Sequence, residues 1–402
     1  MNEELNMKLN VLIKSISDSL TDIKKNGRKA RELKKAVTNS RQIVTEVLEQ
    51  QLGGVSLEQQ INISDIPDED WVITVKHIID YINDPFVPIN SYELYFFNLI
   101  DYLLKNDKNT LLNNMMLSLN RMKEESVEEY DWIVEYFNKY PFWGSFDPEN
   151  GDLTSFVLRA SVLKQHSYDL LWLYRKTEDY LSKRTLAAIL INWADLQNDS
   201  LVAVKSIFRD YWEPDIFPSN KDDVLVDLGA YVGDSINSYI EVYGTDYKKI
   251  YAYEIAAESY YNLCANINIS GFKNIDARRK GAGSKKTKMY VKQNESHASA
   301  NILSDNGSTD DEVEIVRIDD DVEETPTFIK MDIEGAEKDA IKGCKQTIVK
   351  YHPKLAICIY HGYEDIWKIP SMIFDMNPNY KFYLRHNGGR LVPTEFVLLC
   401  KP

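Results

Sequence analysis

From Val224 to the C-terminus, short apolar runs alternate with stretches of helical period, and no other feature restricts the fold of this chain as strongly. The runs are Val224–Asp227, Ile250–Tyr253, Phe328–Met331, Leu355–Ile359, Tyr380–Arg385 and Phe396–Cys400. Helical stretches fall at Ser235–Tyr243, Glu258–Ile269, Glu337–Tyr351 and Ile366–Met376. Apolar strands separated by helices predict an α/β fold, with a doubly wound and mostly parallel sheet. The last two runs follow one another without a helix. They predict a C-terminal hairpin that inserts one antiparallel strand. Met289–Lys292 and Val313–Ile318 read as extra strands around a loop.

Upstream, the period is mostly helical from about residue 64 to 210, broken at Asp84-Pro85 and at Asp147-Pro148-Glu149-Asn150-Gly151. Its aromatic residues (Trp132, Phe142, Trp143, Trp172, Tyr174) lie at helical spacing and are expected in a core rather than on a sugar. Leu9, Ile13, Ile16, Leu20, Ile23, Gly27 and Ala30 recur in steps of four and three, the seam of a short coiled coil. This predicts self-association into a homo-oligomer through the N-terminal helix; the alternative is an amphipathic helix packed on its own domain. The expected domains are therefore 1–50 (helix), 51–215 (helical) and 216–402 (α/β).

Composition narrows the function. The formal charge of −15 argues against nucleic acid as a partner and suits a small or neutral acceptor. No stretch approaches the roughly 18 apolar residues of a membrane span. The start does not read as a signal peptide, and the four cysteines form no C-x-x-C pair. A cytoplasmic location and no structural metal are expected.

In such a sheet, ligands bind beyond the carboxyl ends of the strands, where the strand order reverses. Three predicted strand ends carry suitable groups. Asp227 precedes a turn with Gly229 and Gly233, whose missing side chains let a ligand approach the backbone. Glu254 ends the second strand, where a carboxylate can accept hydrogen bonds from both hydroxyls of a ribose. Asp332 ends a third, within Asp332-Ile-Glu334-Gly335-Ala-Glu337. The turn has D-x-G-x-x-x-G spacing rather than G-x-G-x-x-G, and Asp234 and Ser235 follow it. A carboxylate at that helix start repels a pyrophosphate but tolerates an ammonium and a sulfonium, so a methyl donor is favoured over a dinucleotide.

With these pieces assembled, residues from about 200 to 402 resemble the FkbM family of S-adenosylmethionine-dependent methyltransferases. The resemblance rests on Val226-Asp227-Leu-Gly229-Ala-Tyr231-Val-Gly233-Asp234-Ser235, Tyr251-Ala-Tyr-Glu254 and Val316-Arg-Ile-Asp319-Asp320. Lys330-Met-Asp332-Ile-Glu334-Gly335-Ala-Glu337 and Tyr383-Leu-Arg385-His386 complete it. Ile255 departs from the family pattern, where proline is usual. The resemblance implies a class I methyltransferase (Rossmann-like) fold and methyl transfer to a hydroxyl of a sugar, a glycan or a glycosylated metabolite. It places Asp227, Gly229, Tyr231, Gly233, Asp234 and Ser235 in the cofactor-binding turn and Glu254 on the ribose. Gly281 and Ala282 fall near the adenine or the methionine part, and Asp332 and Glu334 at the mouth.

A hydroxyl is a poor nucleophile, so a base is expected among Asp332, Glu334, His361 and His386. Asp332 also suits a divalent cation, but the sequence does not place the further ligands one needs. Glu337 reads as an acidic residue at a helix start. The alternative function is a scaffold in a glycan-synthesis complex that keeps the cofactor site without catalysis.

Overall fold

The structure, a computed structural model, describes residues 37–45, 61, 63–292, 302–304 and 311–402. The heptad seam expected at residues 9–30 lies outside the described residues. The chain divides into two compact units: Met1–Glu125 with Leu153–Arg175 and Trp193–Leu196, and Ser126–Asp152 with Lys176–Asn192 and Gln197–Pro402.

The first unit is helical, with helices at Asp68–Asn83, Ser91–Lys105, Lys108–Glu125 and Thr154–Gln165. Asn90 caps the second by accepting from the amides of Tyr92 and Glu93, satisfying donors that a helix start leaves open. Apolar faces carrying Trp71, Ile78, Phe96, Leu103, Met115 and Phe156 are buried. Asp169 is buried as well and accepts from Thr74 Oγ1 at 2.8 Å, with ring nitrogens of His77 and His166 at 2.5 and 2.7 Å. Burial alone would raise its carboxyl, but the two imidazoles outweigh it and hold it below the usual aspartate range.

The second unit holds strands β1 (Val224–Leu228), β2 (Lys249–Tyr253), β3 (Ile275–Arg278), β4 (Lys280–Ala282), β5 (Thr287–Lys292) and β6 (Ile302–Ser304). They continue with β7 (Glu312–Val316), β8 (Phe328–Met331), β9 (Lys354–Cys358), β10 (Lys381–His386) and β11 (Phe396–Lys401). Seven form one sheet in the order β10-β11-β9-β8-β1-β2-β3. All its pairings are parallel except those of β11, which runs antiparallel to both neighbours, as the C-terminal hairpin predicts. The order reverses between β1 and β8, so a crevice opens beyond their carboxyl ends. The expected extra strands appear as β5 and β7, in a smaller sheet with order β4-β7-β5-β6.

Two differences from the sequence reading have causes in long-range packing. The helix expected over Glu337–Tyr351 is two, Glu337–Gly343 and Lys345–Tyr351, with Cys344 between them. Gly343 there packs on the backbone of Gly283, where a Cβ would lie 2.1 Å from the Gly283 carbonyl oxygen. The compact units also do not divide at residue 216. Ser126–Asp152 belongs with the sheet: the Trp143 indole donates to the Tyr360 carbonyl at 2.8 Å, and Arg390 pairs with Glu129. Residues 176–192 do the same, since Leu384 N donates to Ser182 Oγ at 2.9 Å and Arg385 pairs with Asp179 at 2.7 Å. No helix among the described residues is long and apolar enough to cross a membrane.

Candidate functional site

The crevice is built around Gly229, the first residue past β1. Its φ is +79°, and a Cβ there would sit 1.8 Å from the carbonyl oxygen of Asp332, so only glycine lets the ends of β1 and β8 meet this closely. The amides of Gly229 and Ala230 donate to the Tyr253 carbonyl at 3.0 and 2.9 Å, which ties the turn to the end of β2. Glu254 follows directly. Its Oε2 accepts from the Tyr231 amide at 2.9 Å and its Oε1 from the Ala256 amide at 2.7 Å. Burial raises this carboxyl above the usual glutamate range, although the two amides work against it.

A cavity of about 330 Å³ runs from Glu254 to Asp332 and Glu334. Gly229, Gly281 and Ala282 line its middle, and Ile255, Met289 and Ile315 form an apolar slot beside them. Six residues singled out in the sequence thus converge on one space. Asp227, Tyr231, Gly233, Asp234 and Ser235 do not line it. They shape the turn: Gly233 has φ +91° ahead of the helix Asp234–Tyr243, and the Tyr231 amide holds Glu254.

Asp227 points inward. It has no exposure, accepts from Ser235 Oγ at 2.5 Å, and faces Lys330 Nζ at 3.1 Å. The pairing of β1 with β8 places Asp227 directly opposite Lys330, which accounts for the ion pair. Lys330 also donates to the carbonyl of Gly229 at 2.7 Å. Burial opposes its charge, but Asp227 and Asp332 outweigh burial and hold its ammonium above the ordinary lysine range. Burial raises the Asp227 carboxyl, against the pull of Lys330 at 3.1 Å and of the Ser235 hydroxyl.

At the other end, Asp332 Oδ2 accepts from the Tyr211 hydroxyl at 2.7 Å. The ring of His361, with no side-chain exposure, has Nδ1 3.0 Å from Glu337 Oε1. Its Nε2 lies 3.3 Å from Glu334 Oε2 and 3.5 Å from Asp332 Oδ1. Burial would lower its pKa, yet Glu337 and Glu334 outweigh burial and carry it well above the usual histidine value. Both ring nitrogens of His361, expected from the sequence as a candidate base, thus face carboxylates. His386 does not line the cavity: its ring sits near the carbonyls of Thr394 and Gly389, at 3.0 and 3.2 Å.

Four residues escaped the sequence reading. Lys330 left a signal, a charge inside an apolar run. Glu337 does begin a helix, but its side chain is 1% exposed and turned toward His361. Tyr211 (φ +68°) and Glu395 (φ +52°) left none, because their place depends on distant strands. Burial and the charges of Asp332 and Asp210 push the Glu395 carboxyl up to about 8. Phe142, expected in a core, presents its edge to His361 at 5.5 Å, and Trp132, stacked on Tyr136 at 4.9 Å, is 43% exposed.

Residues 227–390 match the model of the methyltransferase FkbM domain. Among solved structures, the chain is similar to a methyltransferase FkbM from Methylobacillus flagellatus KT, at 23% identity and a TM-score of 0.51. The match covers 60% of this chain and 62% of that one, so this chain spans less than two thirds of its length. An rRNA methylase from Streptococcus thermophilus is similar at 12% identity and TM-score 0.31, over 46% of this chain and 89% of that one. A SAM dependent methyltransferase from Aquifex aeolicus is similar at 11% and 0.28, over 50% and 96%. Among curated proteins none matches significantly. The Methylobacillus likeness bears on the fold alone. Residues 227–390 of this chain thus carry the pattern of a methyltransferase FkbM domain.

Proposed function

We propose that this chain binds S-adenosylmethionine in the cavity between Glu254 and Asp332 and methylates a hydroxyl of a sugar, a glycan or a glycosylated metabolite. The observation that carries the reading is Glu254, at the end of β2 and on the wall of a 330 Å³ cavity. Each of its oxygens accepts one backbone amide and keeps a second lone pair, enough for the two hydroxyls of a ribose. The slot of Ile255, Met289 and Ile315 beside Gly281 and Ala282 suits a flat adenine ring. The acidic end suits a ligand with an ammonium and a sulfonium.

When bound, S-adenosylmethionine supplies an electrophilic methyl group on a positively charged sulfur. The remaining work falls to this chain's own side chains. Asp332 is held below the usual aspartate range: burial opposes this, but Lys330, His361 and the Tyr211 hydroxyl outweigh it. It is thus a weak base and a good hydrogen-bond acceptor, fit to orient an acceptor hydroxyl. Glu334 is raised above the usual glutamate range by burial, against the pull of His361, and is the better proton acceptor. General-base help of this kind is worth about 10²- to 10⁴-fold. The exposed ring of Trp132, stacked on the half-buried Tyr136 of the helix Val127–Lys139, supports a sugar-bearing acceptor, because rings of this type pack on the C–H faces of sugars.

Calorimetry with S-adenosylhomocysteine tests the cofactor reading. Binding by the wild type is expected, and a loss of about tenfold or more in the Asp227→Ala, Glu254→Ala double variant. An absence of binding by the folded wild type sinks it. Transfer of labelled methyl into glycan or glycosylated fractions tests the acceptor, and label confined to RNA or protein would overturn that half.

A further inference from the structure

We propose that Asp332, Glu337 and His361 form a binding site for one divalent cation of the first transition row, facing the acceptor end of the cavity. The site stands on its own geometry, while its role toward an acceptor hydroxyl rests on the methyl-transfer reading.

Three elements converge here: Asp332 directly follows β8, Glu337 opens the helix Glu337–Gly343, and His361 lies just past β9. One oxygen of each carboxylate and one ring nitrogen all lie within 4.8 Å of one another. Ligands around a cation with bonds of about 2.1 Å are at most about 4.2 Å apart, so small side-chain adjustments close the set.

Hydrogen bonding sharpens the case. Asp332 Oδ1, Glu337 Oε2 and both ring nitrogens of His361 have no hydrogen-bond partner, although the Glu337 and His361 side chains are 1% and 0% exposed. Their close approaches are not aligned as hydrogen bonds. Buried polar atoms are nearly always paired, so such a concentration points to a ligand. The opposite oxygen of each carboxylate is anchored: Asp332 Oδ2 by the Tyr211 hydroxyl at 2.7 Å, Glu337 Oε1 by the Ile333 amide at 2.9 Å. Each carboxylate is thereby left with one oxygen, Asp332 Oδ1 and Glu337 Oε2, that no hydrogen bond occupies, as outer partners leave around metal ligands.

Charge points the same way. Asp332, Glu334 and Glu337 crowd around a single imidazole, and the ammonium of Lys330 is paired with Asp227. Three protein ligands leave coordination positions open toward the cavity, which Asp332 and Glu334 reach with side chains 21% exposed. An acceptor hydroxyl bound in an open position would be oriented and made more acidic, and Glu334 beside it would take the proton. One nitrogen and two carboxylate oxygens suit Mn²⁺ better than Ca²⁺.

The test uses the chelator-treated full chain titrated with Mn²⁺ and followed by electron paramagnetic resonance. One Mn²⁺ per chain is expected, with Kd below about 1 mM. Spin-echo modulation from a directly bound nitrogen is expected too, and its loss in His361→Gln. Glu337→Gln should weaken binding at least about tenfold. Tyr211→Phe removes no ligand and keeps the buried ring, and should weaken it by about tenfold through Asp332. No Mn²⁺ on the folded wild type, no nitrogen modulation, or unchanged affinity in both Glu337→Gln and Tyr211→Phe would overturn the site and leave His361 as an imidazolium counter-ion. Calorimetry with S-adenosylhomocysteine on the same metal-free chain separates the two readings. Cofactor binding without Mn²⁺ removes only the cation site, and Mn²⁺ without cofactor removes only the cofactor reading.

Discussion

Lys330 carries more of the site than any residue that reaches the cavity. Its ammonium neutralises Asp227 and holds the carbonyl of Gly229, so one buried charge fixes both the turn and the end of β8. Removing one partner of a buried pair strands the other. Lys330→Met should therefore cost about 3–5 kcal/mol in urea unfolding, and adding Asp227→Asn should recover part of it. If the double variant is no more stable than the single, the pair is not the origin of the loss. Affinity for S-adenosylhomocysteine should also fall in Lys330→Met, because the turn loses an anchor. The charge was visible in the sequence as an oddity in Phe328-Ile-Lys-Met331, but its partner was not. Which residue faces Lys330 is set by strand register, and the register is decided only when β1 and β8 pair.

At the scale of elements, the edge strand β10 is held to the start of the helix Tyr180–Asp195. Arg385 is buried and pairs with Glu213 at 2.9 Å and Asp179 at 2.7 Å. Burial would raise Asp179, but Arg385 and Ser182 outweigh it and depress its carboxyl. A depressed carboxylate adds stability that is fully present above its unfolded pKa, near pH 4, and is lost as pH falls through the lower folded value. Asp179→Asn should therefore lower the melting temperature at pH 6 and lose less than the wild type on acidification toward pH 3. Parallel curves for the two proteins would count against this. Strands and most helices of this region were legible because their periods are local. The break at Cys344 was not, since its cause is the backbone of Gly283, sixty residues upstream in the chain.

At the scale of the whole molecule, the segment Ser126–Asp152 lies far from the sheet in sequence yet packs with it. It brings Phe142 into T-shaped contact with His361, and its exposed Trp132 stacks on Tyr136. If this face receives the acceptor, Trp132→Ala should raise the acceptor KM several-fold and leave S-adenosylhomocysteine affinity unchanged. An unaltered KM would separate the aromatic face from the acceptor.

By itself the sequence determined the mostly parallel sheet, its antiparallel strand, and the strand ends where Gly229, Glu254 and Asp332 meet. Those features follow from hydrophobic period and from glycine, which act over a few residues. Tertiary structure alone decided which way the carboxylates turn: Asp227 inward to Lys330, and Asp332, Glu334 and Glu337 onto His361. Facing is set by register and packing between segments up to a hundred residues apart, and no local pattern records it.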